Sequence, residues 1–162
     1  MFETVNKLLE QYIGGQIFFT ELDKAVKFNK EILLQLVDAV KEKYPHCLTI
    51  ASGEIGLSMH NLGVNIDYIV PGGLRFEPEK INLEPFAENI NNKLFVFIDD
   101  SYFSGKTALV IKEEIEKYGG TLLGAYVAYD GSKEKNHFVN SLYRYYDHYD
   151  LLGRPLKEKV CE

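Results

Sequence analysis

The sequence predicts an α/β fold: a single domain with a mainly parallel central sheet flanked by helices. Four short apolar runs are separated by helical or long-loop spacers, the spacing that parallel strands with crossover connections require. One of them, Leu94-Phe95-Val96-Phe97-Ile98, is apolar on both faces, as a strand covered on both sides must be. The 162 residues can bury one core, and 46 % hydrophobic against 26 % charged content is a globular rather than a disordered balance. Within the one domain, 1–162, residues 1–45 read as N-terminal helices, 46–130 as the core and 131–162 as a Tyr-rich tail.

The first segment places Val5, Leu8, Leu9 and Tyr12 at helical spacing and stops at Gly14-Gly15. A second apolar face runs from Leu22 to Tyr44 behind Thr20 as N-cap, with a break near Phe28-Asn29, and Pro45 ends it. Leu48–Ala51 reads as the first strand, and Ser52-Gly53-Glu54-Ile55-Gly56 as a Gly-bearing loop. A short helix over Leu57–Leu62 closes at Gly63. Ile66–Val70 reads as the second strand, stopped by Pro71-Gly72-Gly73. Leu74–Asn92 has no convincing period and is expected to be a long, irregular hood; such loops are usually functional. After the 94–98 strand, Asp99–Thr107 reads as a polar turn. Ala108, Ile111, Ile115 and Tyr118 then mark a helix face, with Gly119-Gly120 as its stop. Leu122–Tyr129 is the fourth strand, ended by Asp130-Gly131, and Asn136–Tyr146 is expected to be helical.

Charge and cysteine content exclude several classes. A net charge of -6 without a basic run argues against a duplex nucleic-acid binder. Cys47 and Cys161 lack metal-ligand spacing and read as free thiols of a reducing compartment. The start Met1-Phe2-Glu3-Thr4 lacks the pattern of a signal peptide, and no apolar run approaches the ~20 residues of a membrane span. Cytoplasm is the expected location. The four histidines show no metal spacing. The run Tyr143–Tyr149 reads as packing on a sheet edge or a homodimer contact, with stacking on a base as the sharper alternative.

The chemistry concentrates in Asp99–Thr107. Two carboxylates follow a buried strand, and open α/β sheets bind ligands beyond the carboxyl ends of their strands. A small hydroxyl-bearing loop then opens a helix, and its backbone N–H groups and positive helix end make an anion site. Ser104 and Thr107 add hydroxyls, and Gly105 permits close backbone approach. Acceptors for sugar hydroxyls at one end and a phosphate cradle at the other match the polarity of ribose 5-phosphate.

This stretch resembles the phosphoribosyl-diphosphate motif of type I phosphoribosyltransferases: an apolar strand, two acidic residues, a short variable stretch, then Thr/Ser-Gly-x-Thr/Ser. The resemblance implies that Asp99 and Asp100 bind the ribose and face the developing cation as catalytic groups. Ser101, Ser104, Gly105, Lys106 and Thr107 complete the ribose-phosphate site. It further implies a pyrophosphate site at Ser52, Gly53, Glu54, Gly56 and Arg75, and a mobile hood at 74–92. The implied reaction displaces pyrophosphate from phosphoribosyl diphosphate by a ring nitrogen of a base, in nucleotide metabolism. Mg²⁺ is the implied cofactor, held by substrate oxygens and water, with Asp99 or Asp100 reaching it through water. Tyr102 and Phe103 are bulkier than the family's usual residues, and Phe103 stands where purine-salvage members often carry an Asp. Two alternatives follow: a non-catalytic phosphoribosyl-diphosphate or nucleotide-binding regulator, and a divergent P-loop enzyme suggested by Ser-Gly-Lys-Thr.

Overall fold

The structure, a computed structural model, describes residues 29–70, 81–152, 154 and 156. The expected helix over 5–12, its Gly14-Gly15 stop, the Thr20 cap and Arg75 lie outside the described residues.

Helix α1 (Lys30–Lys43) starts at the expected break. The Asn29 side chain accepts from Ile32 N–H at 3.2 Å, satisfying one of the N–H groups that every helix start leaves unpaired. Glu31 sits in the first turn and Lys41 and Lys43 in the last, the order that the helix dipole favours. Ile32, Leu33, Leu36, Val37, Ala39 and Val40 form its buried face.

Five strands follow: β1 (Leu48–Ser52), β2 (Tyr68–Val70), β3 (Leu94–Tyr102), β4 (Thr121–Asp130) and β5 (Val139–Arg144). They form one sheet in the order β2-β1-β3-β4-β5, and every neighbouring pair is parallel. The helices between them are α2 (Gly53–Asn61), the single turn α3 (Ala87–Ile90) and α4 (Lys106–Lys117). Helices α1 and α2 cover one face, packing with Ala51, Val96 and Ile98. Helix α4 and the 81–90 segment cover the other, packing with Ile50, Phe95 and Phe97. Alternate residues of β3 therefore feed two separate cores, which is why its sequence is apolar without a break.

Local chemistry sets the joints. Asp67 Oδ2 accepts from Thr49 N–H at 2.8 Å and from its hydroxyl at 3.0 Å, while Asp67 N–H donates to Thr49 Oγ1 at 2.9 Å. This closed triangle ties the entry of β2 to the start of β1. Gly119, at φ +84, lets Gly120 N–H reach Ile115 C=O at 3.0 Å and ends α4 where the glycine pair was expected to end it. Among the described residues no helix is long and apolar enough to cross a membrane.

Three local expectations are corrected. The 53–56 stretch is helix rather than loop: Gly53 turns the chain at φ +64, and α2 begins there. Gly56 lies inside that helix, where a Cβ would stand 2.8 Å from Ile69 Cγ2, so its bareness lets α2 approach β2. Strand β3 runs through Asp99 and Asp100 to Tyr102, because its ladder with β4 continues to Tyr102↔Asp130. Residues 139–144 form β5 instead of a helix: Leu142 and Tyr143 gain burial by pairing along β4.

The buried face of α1 predicts a contrast between neighbours. Leu36 is fully buried, whereas Leu34 is 42 % exposed. Leu36→Ala is expected to cost about 2–5 kcal/mol by urea denaturation, and Leu34→Ala no more than about 0.5 kcal/mol. Equal losses would mean that α1 is docked by another face.

Candidate functional site

In this strand order the sheet changes direction at β1 and β3. The connection after β1 leads outward to β2, and the later strands build up on the opposite side. The crevice at such a switch point, beyond the carboxyl ends of the strands, is where open parallel sheets bind ligands. Leu48 pairs with Phe95 and Ile50 with Phe97, so the same register brings Ser52 level with Asp99. The starts of the two segments selected from sequence, 52–56 and 99–107, thus meet at one edge. Ser52 is buried at the end of β1, and Glu54 is exposed in the first turn of α2.

Asp100 is 8 % exposed and Asp99 half-buried. Each carboxylate accepts from the next backbone N–H: Asp99 Oδ1 from Asp100 at 2.8 Å and Asp100 Oδ1 from Ser101 at 2.9 Å. A regular strand would send neighbouring side chains to opposite faces. Here the alternation inverts near the strand end: Val96 and Ile98 belong to the α1 side, but Tyr102 packs on the α4 side. The acidic pair occupies this inversion.

Only Phe103, Ser104 and Gly105 separate β3 from α4. Gly105 adopts φ +78, a left-handed conformation that glycine takes without strain. It starts the helix, and its carbonyl accepts the first intrahelical bond from Leu109 N–H at 3.0 Å. The N–H groups of Lys106, Thr107 and Ala108 therefore belong to the first turn, which has no intrahelical acceptors; Lys106 N–H lies 3.4 Å from Ser104 Oγ. The Tyr102 ring lies over Gly105, so that a Cβ built there would fall 2.5 Å from the Tyr102 hydroxyl oxygen. A three-residue connection is too short for a P-loop, whose glycine would have to stand at Asp100, a buried strand residue.

Sequence reading did not single out the β4–β5 crossing. Strand β5 begins level with Ala125, so residues 131–138 carry the chain back along β4 in fewer residues than the dozen usual for parallel crossovers. No helix fits, and the segment lies across the carboxyl end of the sheet. Asp130, 3 % exposed, accepts from Ser132 N–H at 2.9 Å and Ser132 Oγ at 2.6 Å. Arg144 Nη2 donates to the carbonyls of Ser132 at 3.1 Å and Lys133 at 3.2 Å, and Nη1 to Asp147 at 3.2 Å. Its Nε stands 3.7 Å from Asp130 Oδ2, an ion-pair distance too long for a hydrogen bond. A visible signal existed: Asp130-Gly131 ends its strand as Asp99-Asp100 ends an apolar run.

The tyrosine run packs inward. Tyr143, 2 % exposed, stacks on Tyr129 at 5.8 Å and on His148 at 4.6 Å, and Phe103 meets Tyr129 at 5.7 Å. This column supports the end of β3 from behind. Burial, with a smaller contribution from Tyr145, pushes the Tyr129 phenol far above its ordinary value.

No family model and no curated protein sequence matches the chain. Solved structures do. A phosphoribosyltransferase from Corynebacterium diphtheriae superposes with TM-score 0.58 at 9 % identity, over 88 % of this chain and 96 % of that one. The orotate phosphoribosyltransferase of Mycobacterium tuberculosis H37Rv with inorganic phosphate gives 0.56 at 14 % identity, over 88 % and 89 %. The same enzyme with 5-phospho-α-D-ribosyl 1-diphosphate gives 0.55 at 14 %, over 90 % and 87 %. The chain has the phosphoribosyltransferase fold. The parallel sheet between two helical layers is the architecture that the sequence predicted, with a fifth strand added to the four expected.

Two outcomes test these anchors. Arg144→Ala leaves the buried Asp130 carboxylate without its cation and is expected to cost about 3 kcal/mol or more. In a double-mutant cycle by urea denaturation, Asp130→Asn should recover part of that loss; strict additivity would show the pair to be uncoupled. Unfolded phenols ionise near pH 10 while Tyr129 stays protonated, so the folded state holds the extra proton and stability falls as pH rises past that point. Tyr129→Phe should flatten that alkaline slope in melts recorded between pH 8 and 11.

Proposed function

We propose that this chain binds phosphoribosyl diphosphate and transfers its phosphoribosyl group to a nitrogenous base. One observation carries the reading: the acidic pair Asp99-Asp100 lies near the carboxyl end of the central strand at the switch point, and Gly105 opens a helix five residues later. Ribose hydroxyls would donate to the carboxylates, and the 5-phosphate would take the first-turn N–H groups of α4 with the Ser104 and Thr107 hydroxyls. Lys106 adds a positive charge at that turn. Ser52, Gly53 and Glu54, at the adjoining strand end, would face the pyrophosphate; Gly56 serves packing, and Arg75 keeps the role that the resemblance implies.

Among the described residues no three His, Cys, Asp or Glu side chains are grouped to hold a metal ion. Mg²⁺ would be carried in on substrate oxygens and water, with Asp99 or Asp100 as an outer partner. When bound, it would neutralise the charge of the leaving pyrophosphate. The chain's own residues do the rest. A ring-nitrogen lone pair forms a bond to C1 as the C1–O bond breaks; pyrophosphate leaves with that electron pair, and the ring proton passes to solvent. Positive charge grows on the sugar, and Asp99 and Asp100 lie on the ribose side to stabilise it. A second reading is a sensor that binds the same ligand without turnover, since Phe103 offers a base neither a proton donor nor an acceptor.

Titration calorimetry with phosphoribosyl diphosphate and Mg²⁺ is the direct check. Asp99→Asn combined with Asp100→Asn keeps side-chain shape and is expected to weaken binding roughly ten- to a hundredfold, with the melting temperature as control for fold. Gly105→Val should abolish binding through its side chain and its positive φ. Wild-type affinity in either folded variant would remove the site from this edge. Product formation with a panel of bases separates the transferase from the sensor.

A further inference from the structure

Tyr102 touches the start of α4 and both ends of the 131–138 crossing. Its ring rests on Gly105: a Cβ built on that glycine would fall 2.5 Å from the Tyr102 hydroxyl oxygen, 2.9 Å from Cζ and 3.1 Å from Cε2. Its carbonyl accepts from Gly131 N–H at 2.9 Å, where the crossing begins. Its hydroxyl accepts from Asn136 Nδ2 at 3.4 Å, near the far end of the same crossing. Packing explains the ring, which is half-buried against the α4-side core. It does not explain the hydroxyl, which a phenylalanine would fill the same space without.

The two ends of the crossing are held differently. Ser132 and Lys133 are fixed from the sheet: Asp130 accepts from Ser132, and Arg144 donates to the carbonyls of both. The far end depends on Asn136. Its Oδ1 accepts from Phe138 N–H at 2.9 Å and its carbonyl from Val139 N–H at 3.0 Å, a turn that sets where β5 begins. Phe138 thus orients that side chain at Oδ1 and Tyr102 orients it at Nδ2. A phosphate at the first turn of α4 would order Ser104–Thr107. No methyl group fits between Gly105 and the ring, so loop and ring settle together. The bond to Asn136 is long, with room to shorten as they do. We propose that Tyr102 is a positioning residue, whose hydroxyl transmits phosphate occupancy of the loop to the turn at Asn136. The proposal rests on the phosphoribosyl reading for the phosphate site alone.

Amide hydrogen exchange followed by NMR on the full chain reads this coupling, because Phe138 N–H is bonded to the Asn136 side chain. The probe is ribose 5-phosphate, brought to saturation as judged by calorimetry. Exchange at Phe138 is expected to slow about fivefold or more. Ser132 N–H, anchored by Asp130, is the reference for any general stabilisation. Tyr102→Phe keeps the ring and removes the hydroxyl. That variant should still bind ribose 5-phosphate and melt close to wild type, yet lose the slowing at Phe138. A tyrosine of structural use alone would shift the melting temperature and leave the ligand-dependent difference in place. Ligand bound to wild type without slowing at Phe138, or equal slowing in the variant, would overturn the proposal and leave the phosphoribosyl site standing. Loss of binding in Tyr102→Phe would overturn it as well, by making the hydroxyl a ligand contact. Failure of wild type to bind ribose 5-phosphate removes the phosphoribosyl reading and the coupling with it.

Discussion

Every strand of this sheet runs the same way, and that constraint organises the molecule. Parallel strands all end on one edge, so the polar groups that terminate them gather there whatever their distance in sequence. Ser52 ends β1, the acidic pair lies near the end of β3 and Asp130 ends β4. The same constraint buries the strands on both faces, which requires helices on each side and leaves the carboxyl edge as the place where backbone and carboxylates can meet a ligand. Strand β3 bears the most of this. Its alternate residues feed both cores, and its last four, Asp99-Asp100-Ser101-Tyr102, carry the candidate chemistry on the same ladder with β4.

Much of this was legible because the signals are local and physical. A short apolar run rich in Phe, Val and Ile and closed by a polar turn fits a strand covered on both faces, and a Gly-led hydroxyl loop before a helical period marks a helix start. Element type was harder where tertiary pairing decided it. The 139–144 stretch has aromatic and polar residues that satisfy a helical period as readily as a strand, and only the free edge of β4 makes a strand the better choice. The 53–56 stretch looked like a loop because two glycines usually break regular structure. Gly53 instead makes the turn by itself, and Gly56 is required by the closeness of α2 to Ile69, a contact distant from it in the chain. The end of β3 was misread for the opposite reason: aspartates are poor strand residues, and these two stay in the ladder because β4 extends beside them to Asp130.

The Asp130–Arg144 pair shows why a site can escape a motif. Nothing about an isolated Asp-Gly or an arginine between tyrosines specifies a partner. Once β4 and β5 run parallel in the register Asp130↔Arg144, the two charges are neighbours at the edge, and the crossing between them has eight residues in which to return. A short crossing without a helix of its own needs its backbone groups satisfied from outside. The Arg144 guanidinium does this with donors that a lysine could not spread over two carbonyls and a carboxylate at once.

Tyr102 joins the two halves of the edge. Its ring rests on Gly105, at the start of the phosphate loop, and its hydroxyl lies 3.4 Å from Asn136 Nδ2 in the crossing. A smaller residue would lose both of these side-chain contacts. With tyrosine there, any ligand that needs room over Gly105 must move the ring, and any movement of the ring is felt by the crossing that carries Lys133 and Lys135. Phe103, turned the other way, is fixed against Tyr129 and Gly131, where a Cβ would meet the Phe103 ring at 2.4 Å. The two bulky residues that set this loop apart therefore divide the work: Phe103 anchors the strand end to the aromatic column, and Tyr102 spans the phosphate end and the crossing beside it.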